Sequence, residues 1–278
     1  MFPRIEYQLL KFMPRGFARD LYRLLISMLP HGSNQKILIN SVPKSGTNLA
    51  LQWFECCPGF VYSGIQLYNQ DVYSDQGVRE EADLDRLFSG GMGGRVVTSH
   101  FDYSDGLYEY FVKRRWIVVN VIRDPRDVAL SLLHFILDRR DHFLHELFTK
   151  QLRTDEVRMW TILNGSNANR ALATIFSAHA QWFHLKEEKF ISLRFEDLVQ
   201  ARREGWIIPC LEKISERAGL EVDIHRWQRK ILSSKSEHSR TFRRGESGGW
   251  KEGGQSAVMD MLTRSLKEQA LELGYPWE

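Results

Sequence analysis

ILINSVPKSGTNLALQWF, residues 37–54, sets a short apolar, β-favouring run directly before a glycine-bearing loop and a segment whose apolar positions fit a helix. A strand, loop and helix in that order turn the loop amides and the helix N-terminus toward one point, where partial positive charge collects. Lys44 can bring a full charge to the same point, and Ser45, Thr47 and Asn48 offer further donors. The loop is not the G-x-x-x-x-G-K-S/T of ATP and GTP sites, because Lys44 comes before Gly46 instead of after the last glycine. Two readings stand at this point: an anion site of another kind, or a strand-to-helix turn with a capping serine.

Working outward, the same alternation continues. RVVTSHF (95–101) is a second apolar run ending at His100, and RRWIVVNVIRDPRDVALSLLHFILDRR (114–140) reads as a strand through Ile122, a turn at Pro125 and a helix from Asp127. Pro125 suits the first turn of a helix, which has no use for its missing N–H. NRALATIFSAHAQWFHLKEE (169–188) is helical, KFISLRFEDLVQ (189–200) returns to a strand, and EGWIIPCLEKISERAGLE (204–221) is a helix ended by Gly219. Residues 59–94 and 138–170 have no clear period, the stretch from Lys230 to Gly254 reads as a basic loop, and the last 23 residues read as helix. Strands alternating with helices predict an α/β fold, a single domain with a central parallel β-sheet covered on both faces. The domain is expected over residues 35–278, with 1–34 as an amphipathic helical appendage. No internal repeat and no low-complexity segment is present.

Composition excludes several classes. With 43% apolar and 26% charged residues in 278, the chain is neither disordered nor fibrous, and it is long enough to bury its own core. A net charge of +3 spread over that length fits an anionic small ligand and gives no footprint for nucleic acid. Three cysteines, Cys56, Cys57 and Cys210, make no disulfide framework, so a reducing, cytoplasmic location is expected. No run approaches the roughly 18 apolar residues of a membrane span. In residues 1–30, Glu6, Asp20 and the arginines interrupt any signal-peptide core, and the segment reads as amphipathic helices broken near Pro14. They are expected to pack on the domain or form an oligomer contact, with peripheral membrane contact through Arg15, Arg19 and Arg23 as the alternative.

Three further constellations carry chemistry. In RDPRDVALS (123–131), Arg123 leaves the end of a predicted central strand, where open parallel sheets bind ligands, and Ser131 follows in the next helix. Arg123 is a candidate for a phosphate, or it pairs with Asp124 or Asp127 on the surface. In TFRRGESGGWKEGG (241–254), two arginines and a glycine form a loop able to close on an anion, and Trp250 between glycines reads as an anchor. His100, at a strand end on the same edge, is either a structural residue or a base. The remaining histidines, His134, His142 and His145 among them, have no Cys or Glu spacing that suggests a metal set, and no metal is expected.

Together, and in this order, these segments resemble the sulfotransferases that use 3′-phosphoadenosine 5′-phosphosulfate (PAPS). PKSGTNL is similar to the family's P-K-S-G-T-T-W, RDPRDVALS with His134 and Phe135 to its R-x-P-x-D-x-x-x-S and H-F, FED (195–197) to its Y-E-D, and RRGESGGWK (243–251) to its R-K-G-x-x-G-D-W-K. The resemblance implies that Lys44, Ser45, Gly46, Thr47 and Asn48 hold the 5′-phosphosulfate, that Leu49 takes the place of a residue packed near the nucleotide, and that Arg123 and Ser131 hold the 3′-phosphate. It further implies that Arg243, Arg244 and Gly245 close over that phosphate, that Phe195 lies near the adenine, and that His100 is the catalytic base. Asn48, Leu49 and Gly249 stand where the family pattern has Thr, Trp and Asp.

The expected reaction is in-line, metal-free sulfuryl transfer to a hydroxyl or amine of a partly apolar small molecule, leaving adenosine 3′,5′-bisphosphate (PAP). A sulfuryl group carries less negative charge than a phosphoryl group, so a lysine and aimed N–H groups can replace the magnesium of kinases. Tyr62, Tyr68, Tyr73, Phe101, Tyr103 and Trp160 are candidates to line the acceptor pocket. Alternatives are a carbohydrate- or lipid-directed sulfotransferase, a P-loop kinase and an inactive nucleotide-binding protein. The sequence leaves monomer and homodimer both open.

Overall fold

The computed structural model describes residues 33–88, 94–234, 248–252 and 256–277. Residues 1–32 of the expected appendage, and Arg243, Arg244 and Gly245 of the expected closing loop, lie outside the described residues.

The described elements run β1 (Lys36–Ser41), α1 (Thr47–Glu55), β2 (Val61–Tyr68), α2 (Asn69–Val72), β3 (Tyr73–Ser74), β4 (Gly77–Val78), α3 (Glu81–Phe88) and β5 (Arg95–His100). There follow α4 (Asp105–Lys113), β6 (Ile117–Ile122), α5 (Pro125–Asp138), a π-helical turn (Leu147–Gln151), α6 (Asp155–Asn164), α7 (Leu172–His184) and β7 (Phe190–Arg194). The remainder is α8 (Phe195–Glu204), α9 (Ile207–Ala218), α10 (Ile224–Ser233), α11 (Gly249–Glu252), α12 (Ala257–Ser265) and α13 (Lys267–Glu272). Five strands form one parallel sheet in the order β2-β5-β1-β6-β7, and β3 and β4 pair as a small separate hairpin. The expected α/β fold with a central parallel sheet is therefore present.

The strands are apolar on both faces because both are covered. Alternate residues serve opposite sides: Ile37, Ile39, Val119 and Val121 pack with α1, α8, α9 and α10, while Leu38, Val97 and Val118 pack with α3, α4 and α7. A third cluster, from Val42 and Ile122 to α5, α6, α7, α12 and α13, fills the volume beyond the carboxyl edge of the sheet. Helix α1 buries Leu49, Ala50, Trp53 and Phe54, one stripe of a helix, and the Trp227 indole N–H locks it by donating to the Trp53 carbonyl at 2.7 Å.

Several boundaries differ from the sequence reading. The strand expected over 189–200 stops at Arg194, and FEDLVQ opens α8. The segment 59–94 contains the edge strand β2, and 138–170 contains the π turn and α6. Residues 230–233 finish α10, where a basic loop was expected. In each case tertiary packing overrides a weak local period: α8 buries only Phe195, Leu198 and Ala201, too few to show as a helical stripe among its charges. The C-terminal stretch is two helices, breaking at Leu266. Pro125 does occupy the first turn of α5, capped by the Asp124 carboxylate accepting from the Arg126 N–H, and Gly219 ends α9 in the left-handed conformation.

Candidate active site

The loop after β1, Arg123 with Ser131, and His100 lie at the carboxyl edge of the sheet; of the stretch 241–254 only residues 248–252 are described. After β1 the backbone turns back at once: the Ser45 N–H donates to the Val42 carbonyl at 3.1 Å, with Pro43 and Lys44 at the corners. Proline first and a positive φ second is the type II pattern, and Lys44 adopts φ 72° where glycine is the usual residue. Gly46 follows with φ 108°, and a Cβ there would stand 2.5 Å from Phe195 Cδ2. The loop therefore needs glycine for two reasons, its backbone and the aromatic ring laid against it. Thr47 Oγ1 and Ser41 Oγ are 2.6 Å apart, and the buried Ser45 Oγ has no hydrogen-bond partner among the described residues.

Lys44 Nζ lies 4.0 Å from the centre of the Phe135 ring. Burial, and then the charges of Arg123 and Arg139, bring its pKa down from 10.5 to about 8. Three cations thus share one partly dry region, an arrangement that an anion would relieve.

Arg123 emerges from β6 with its guanidinium 4.4 Å from the Phe195 ring centre and 3.8 Å from the Asp127 carboxylate. The surface-pair reading of Arg123 is only partly met, because Asp127 is buried and is shared with two backbone amides. The N–H groups of Gly248 and Trp250 donate to it at 2.7 and 3.2 Å. Asp124 is taken by the fully buried Arg126, which donates to both its oxygens and to the Pro276 carbonyl. Arg126 also lies 3.7 Å from the Trp250 ring centre, so Trp250 is an anchor as its sequence context suggested.

His100 is half-buried beside the loop. Its Nδ1 is 2.7 Å from the Ser41 carbonyl, which can only accept, so the proton sits on Nδ1 and the Nε2 lone pair faces the cleft. Burial holds its pKa below 6.5, the Ser41 bond opposing the shift. Asn40 fixes the residue from both sides: its Oδ1 accepts from Ser99 Oγ and the Phe101 N–H, and its Nδ2 donates to the Phe101 carbonyl.

These groups line a single cleft of about 1230 Å³. Lys44, Gly46, Thr47, Asn48, Leu49, His100, Arg123, Ser131 and Phe195 all reach it; Ser45 sits beneath the loop and does not. Leu49 is mostly committed to the core under α1. Of the six aromatic residues expected around the acceptor, only Tyr68 lines the cleft. Phe101 is buried in the core, Tyr73 is spent on the Asp102 carbonyl and Ser104, and Trp160 points outward at 55% exposure. Tyr62 and Tyr103 also face elsewhere, bonding Thr98 and Asp105. The walls are instead apolar on one side, with Leu130, Phe135, Leu144, Ile162, Leu172 and Ile175, and polar on the other, with Gln66, Gln70, Asn169 and Arg170. Sequence reasoning missed Gln66, Asn40 and the tether at Asp127. The alternation in GIQLY, which buries Ile65 and Leu67 and leaves Gln66 and Tyr68 facing out, is the signal that could have found the first.

Residues 90–206 match the family model described as "Sulfotransferase domain". Over that stretch, under half of its length, the chain is similar to the sulfotransferases. Among solved structures, mouse sulfotransferase SULT7A1 complexed with PAP is 16% identical, over 87% of this chain and 88% of that one, with a TM-score of 0.57. Retinol dehydratase, solved with retinol and PAP and again with androsterone and the inactive cofactor PAP, is 13% identical over 91% and 85%, with a TM-score of 0.50. At these identities the likeness establishes the sulfotransferase fold. No curated protein matches the chain.

Among the described residues no group of three or more His, Cys, Asp or Glu side chains is placed to hold a metal ion, and no helix is long and apolar enough to cross a membrane.

Proposed function

We propose that this sulfotransferase-fold protein moves the sulfuryl group of PAPS to a hydroxyl or amine of a small, partly apolar acceptor. The observation that carries the reading is the convergence of Lys44, Arg123 and the His100 Nε2 lone pair on one cleft at the sheet edge. The donor nucleotide fits these residues on physical grounds. Gly46, Thr47 and Asn48 of the loop face the cleft, and Lys44, Arg123 and Arg139 bring positive charge to it close enough together to lower the Lys44 pKa to about 8. Lys44, Ser45, Gly46, Thr47 and Asn48 would hold the 5′ end, Arg123 and Ser131 the 3′-phosphate, and Phe195 the adenine; Arg243, Arg244 and Gly245 are assigned to the same phosphate from the sequence pattern.

When bound, PAPS supplies the sulfuryl group. His100 Nε2 takes the acceptor proton, and the Ser41 carbonyl, holding Nδ1–H, stabilises the imidazolium that forms. Lys44 balances the charge left on the departing oxygen, so a Lewis-acid ion is not required by this set of residues. The apolar wall seats the acceptor body. The described residues give no support for a kinase reading, since the loop lysine precedes its glycine and the carboxylate nearest the cations, Asp127, is occupied by backbone amides.

Transfer of label from PAPS to a panel of phenols, alcohols and amines tests the proposal. Thermal stabilisation by PAP without magnesium is expected; stabilisation by ATP with magnesium and none by PAP would overturn it.

A further inference from the structure

The edge strand β2 sets two outward-facing side chains against the base. Tyr68 is registered with His100 across the β2–β5 pair, its ring centre 5.6 Å from the imidazole. Two residues earlier, on the same face, the Gln66 carboxamide nitrogen stands 3.1 Å from His100 Nε2. Because Nδ1 carries the ring proton, Nε2 can only accept, and the Gln66 N–H must be the donor. Gln66 therefore rests on the same lone pair that would take the acceptor's proton.

We propose that Gln66 is the residue that seats the acceptor's nucleophilic atom and selects oxygen over nitrogen. The inference rests on the reading of His100 as the base. An acceptor hydroxyl entering between the two side chains gives its proton to His100 Nε2 and receives the N–H that Gln66 had placed there. A hydroxyl oxygen has two lone pairs. One takes the Gln66 N–H and the other is left to attack sulfur, so the oxygen is held and aimed at once. As the new S–O bond forms, the O–H proton passes to Nε2 and the S–O bond to the nucleotide breaks toward Lys44, which balances the departing charge. A neutral amine has a single lone pair. A Gln66 N–H bonded to it occupies the electrons that must attack, and one left unbonded loses its partner once the acceptor displaces water from the cleft around it, which costs affinity. Gln66 thus admits phenols and alcohols and penalises amines of the same shape.

Other groups face His100 as well. The Tyr68 hydroxyl, its pKa raised by burial, stays protonated near neutral pH, and His179 on α7, held near pKa 4 by burial, stays neutral. Neither changes charge between pH 5 and 8, so a shift in His100 titration over that range reports on Gln66.

Two measurements test the proposal. With labelled PAPS and the matched probes 1-naphthol and 1-naphthylamine, the wild-type protein is expected to favour the naphthol. Gln66→Leu should lower the naphthol-to-naphthylamine ratio of kcat/KM about tenfold while leaving KM for PAPS unchanged. An unchanged ratio, or a wild-type preference for the amine, overturns the proposal. Independently of turnover, ¹⁵N NMR titration of His100 in the PAP-bound protein should show its pKa higher in Gln66→Leu, since a donor to the neutral ring is gone, and higher still in Gln66→Glu. An unmoved His100 in both variants also overturns it. A moved His100 together with no transfer to either probe would instead overturn the sulfuryl-transfer reading and leave the Gln66 contact standing.

Discussion

The Asp127 carboxylate, on the first turn of α5, accepts the backbone N–H of Gly248 at 2.7 Å, across 121 positions of chain. With the Trp250 N–H on its other oxygen, it pins the start of α11 to the end of the central strand β6, next to Arg123. Removing it strands two buried-side donors. Asp127→Ala should therefore cost about 2–4 kcal/mol in urea unfolding, as charge-assisted hydrogen bonds of this kind do. A loss below about 0.5 kcal/mol would show the tether to be incidental.

Burial and the charges of Arg123 and Arg139 bring the Lys44 pKa down to about 8. Its folded pKa lies below the ordinary 10.5, so between those values the folded state holds fewer protons than the unfolded one, and stability rises with pH through that window. A bound dianion reverses the shift. PAP binding at pH 8.5, followed calorimetrically in buffers of different ionisation enthalpy, should take up most of one proton. Lys44→Gln should abolish the uptake and reduce turnover far more than PAP affinity; equal losses would remove Lys44 from the transition state.

Arg123→Ala separates the two ends of the nucleotide. Loss of one charged partner to the 3′-phosphate should weaken PAP roughly 10- to 100-fold while 5′-AMP changes little. Parallel weakening of both would place Arg123 elsewhere.

Burial lowers the pKa of His100, so the imidazole stays neutral to below pH 6.5, and with His100 as the proposed base kcat/KM should hold level there before falling on the acid side. His100→Ala should lower turnover about 10²- to 10⁴-fold. Normal turnover in that variant would be decisive against it.

The contact of Gly46 with Phe195 predicts an asymmetric pair of variants. Gly46→Ala puts a methyl 2.5 Å from the ring at a φ of 108°, and should cost about 2 kcal/mol or more. Phe195→Leu in the same chain should recover part of that loss, because the ring clash goes and only the backbone strain stays. No recovery in the double variant would mean that the backbone alone forbids the change.

The strand ends that build the site were legible because buried parallel strands leave continuous apolar runs, and KILINSV, RVVTSHF and WIVVNVI are such runs. The loop, Arg123 and His100 then follow from position along each strand. What sequence could not give was every relation made by long-range closure. Nothing near Asp127 announces Gly248, and nothing near Asn40 announces that it brackets His100 from Ser99 to Phe101. The acceptor wall failed for the same reason: aromatic residues are common in cores, and only burial distinguishes Phe101, which is core, from Tyr68, which is not. FEDLVQ was misread because a strand and a following helix meet with no intervening loop, so Phe195 serves the end of one and the start of the other.

Lys44 occupies a backbone geometry that suits glycine or asparagine, with two arginine charges set against its own. Glycine there would relax the turn, and any neutral residue would relieve the repulsion. Random substitution thus has easy exits from lysine at this position, each leaving a more comfortable empty protein. A lysine so placed persists under mutation only while selection acts on the occupied state, which makes position 44 a sensitive marker for telling working descendants of this chain from those drifting toward a silent scaffold.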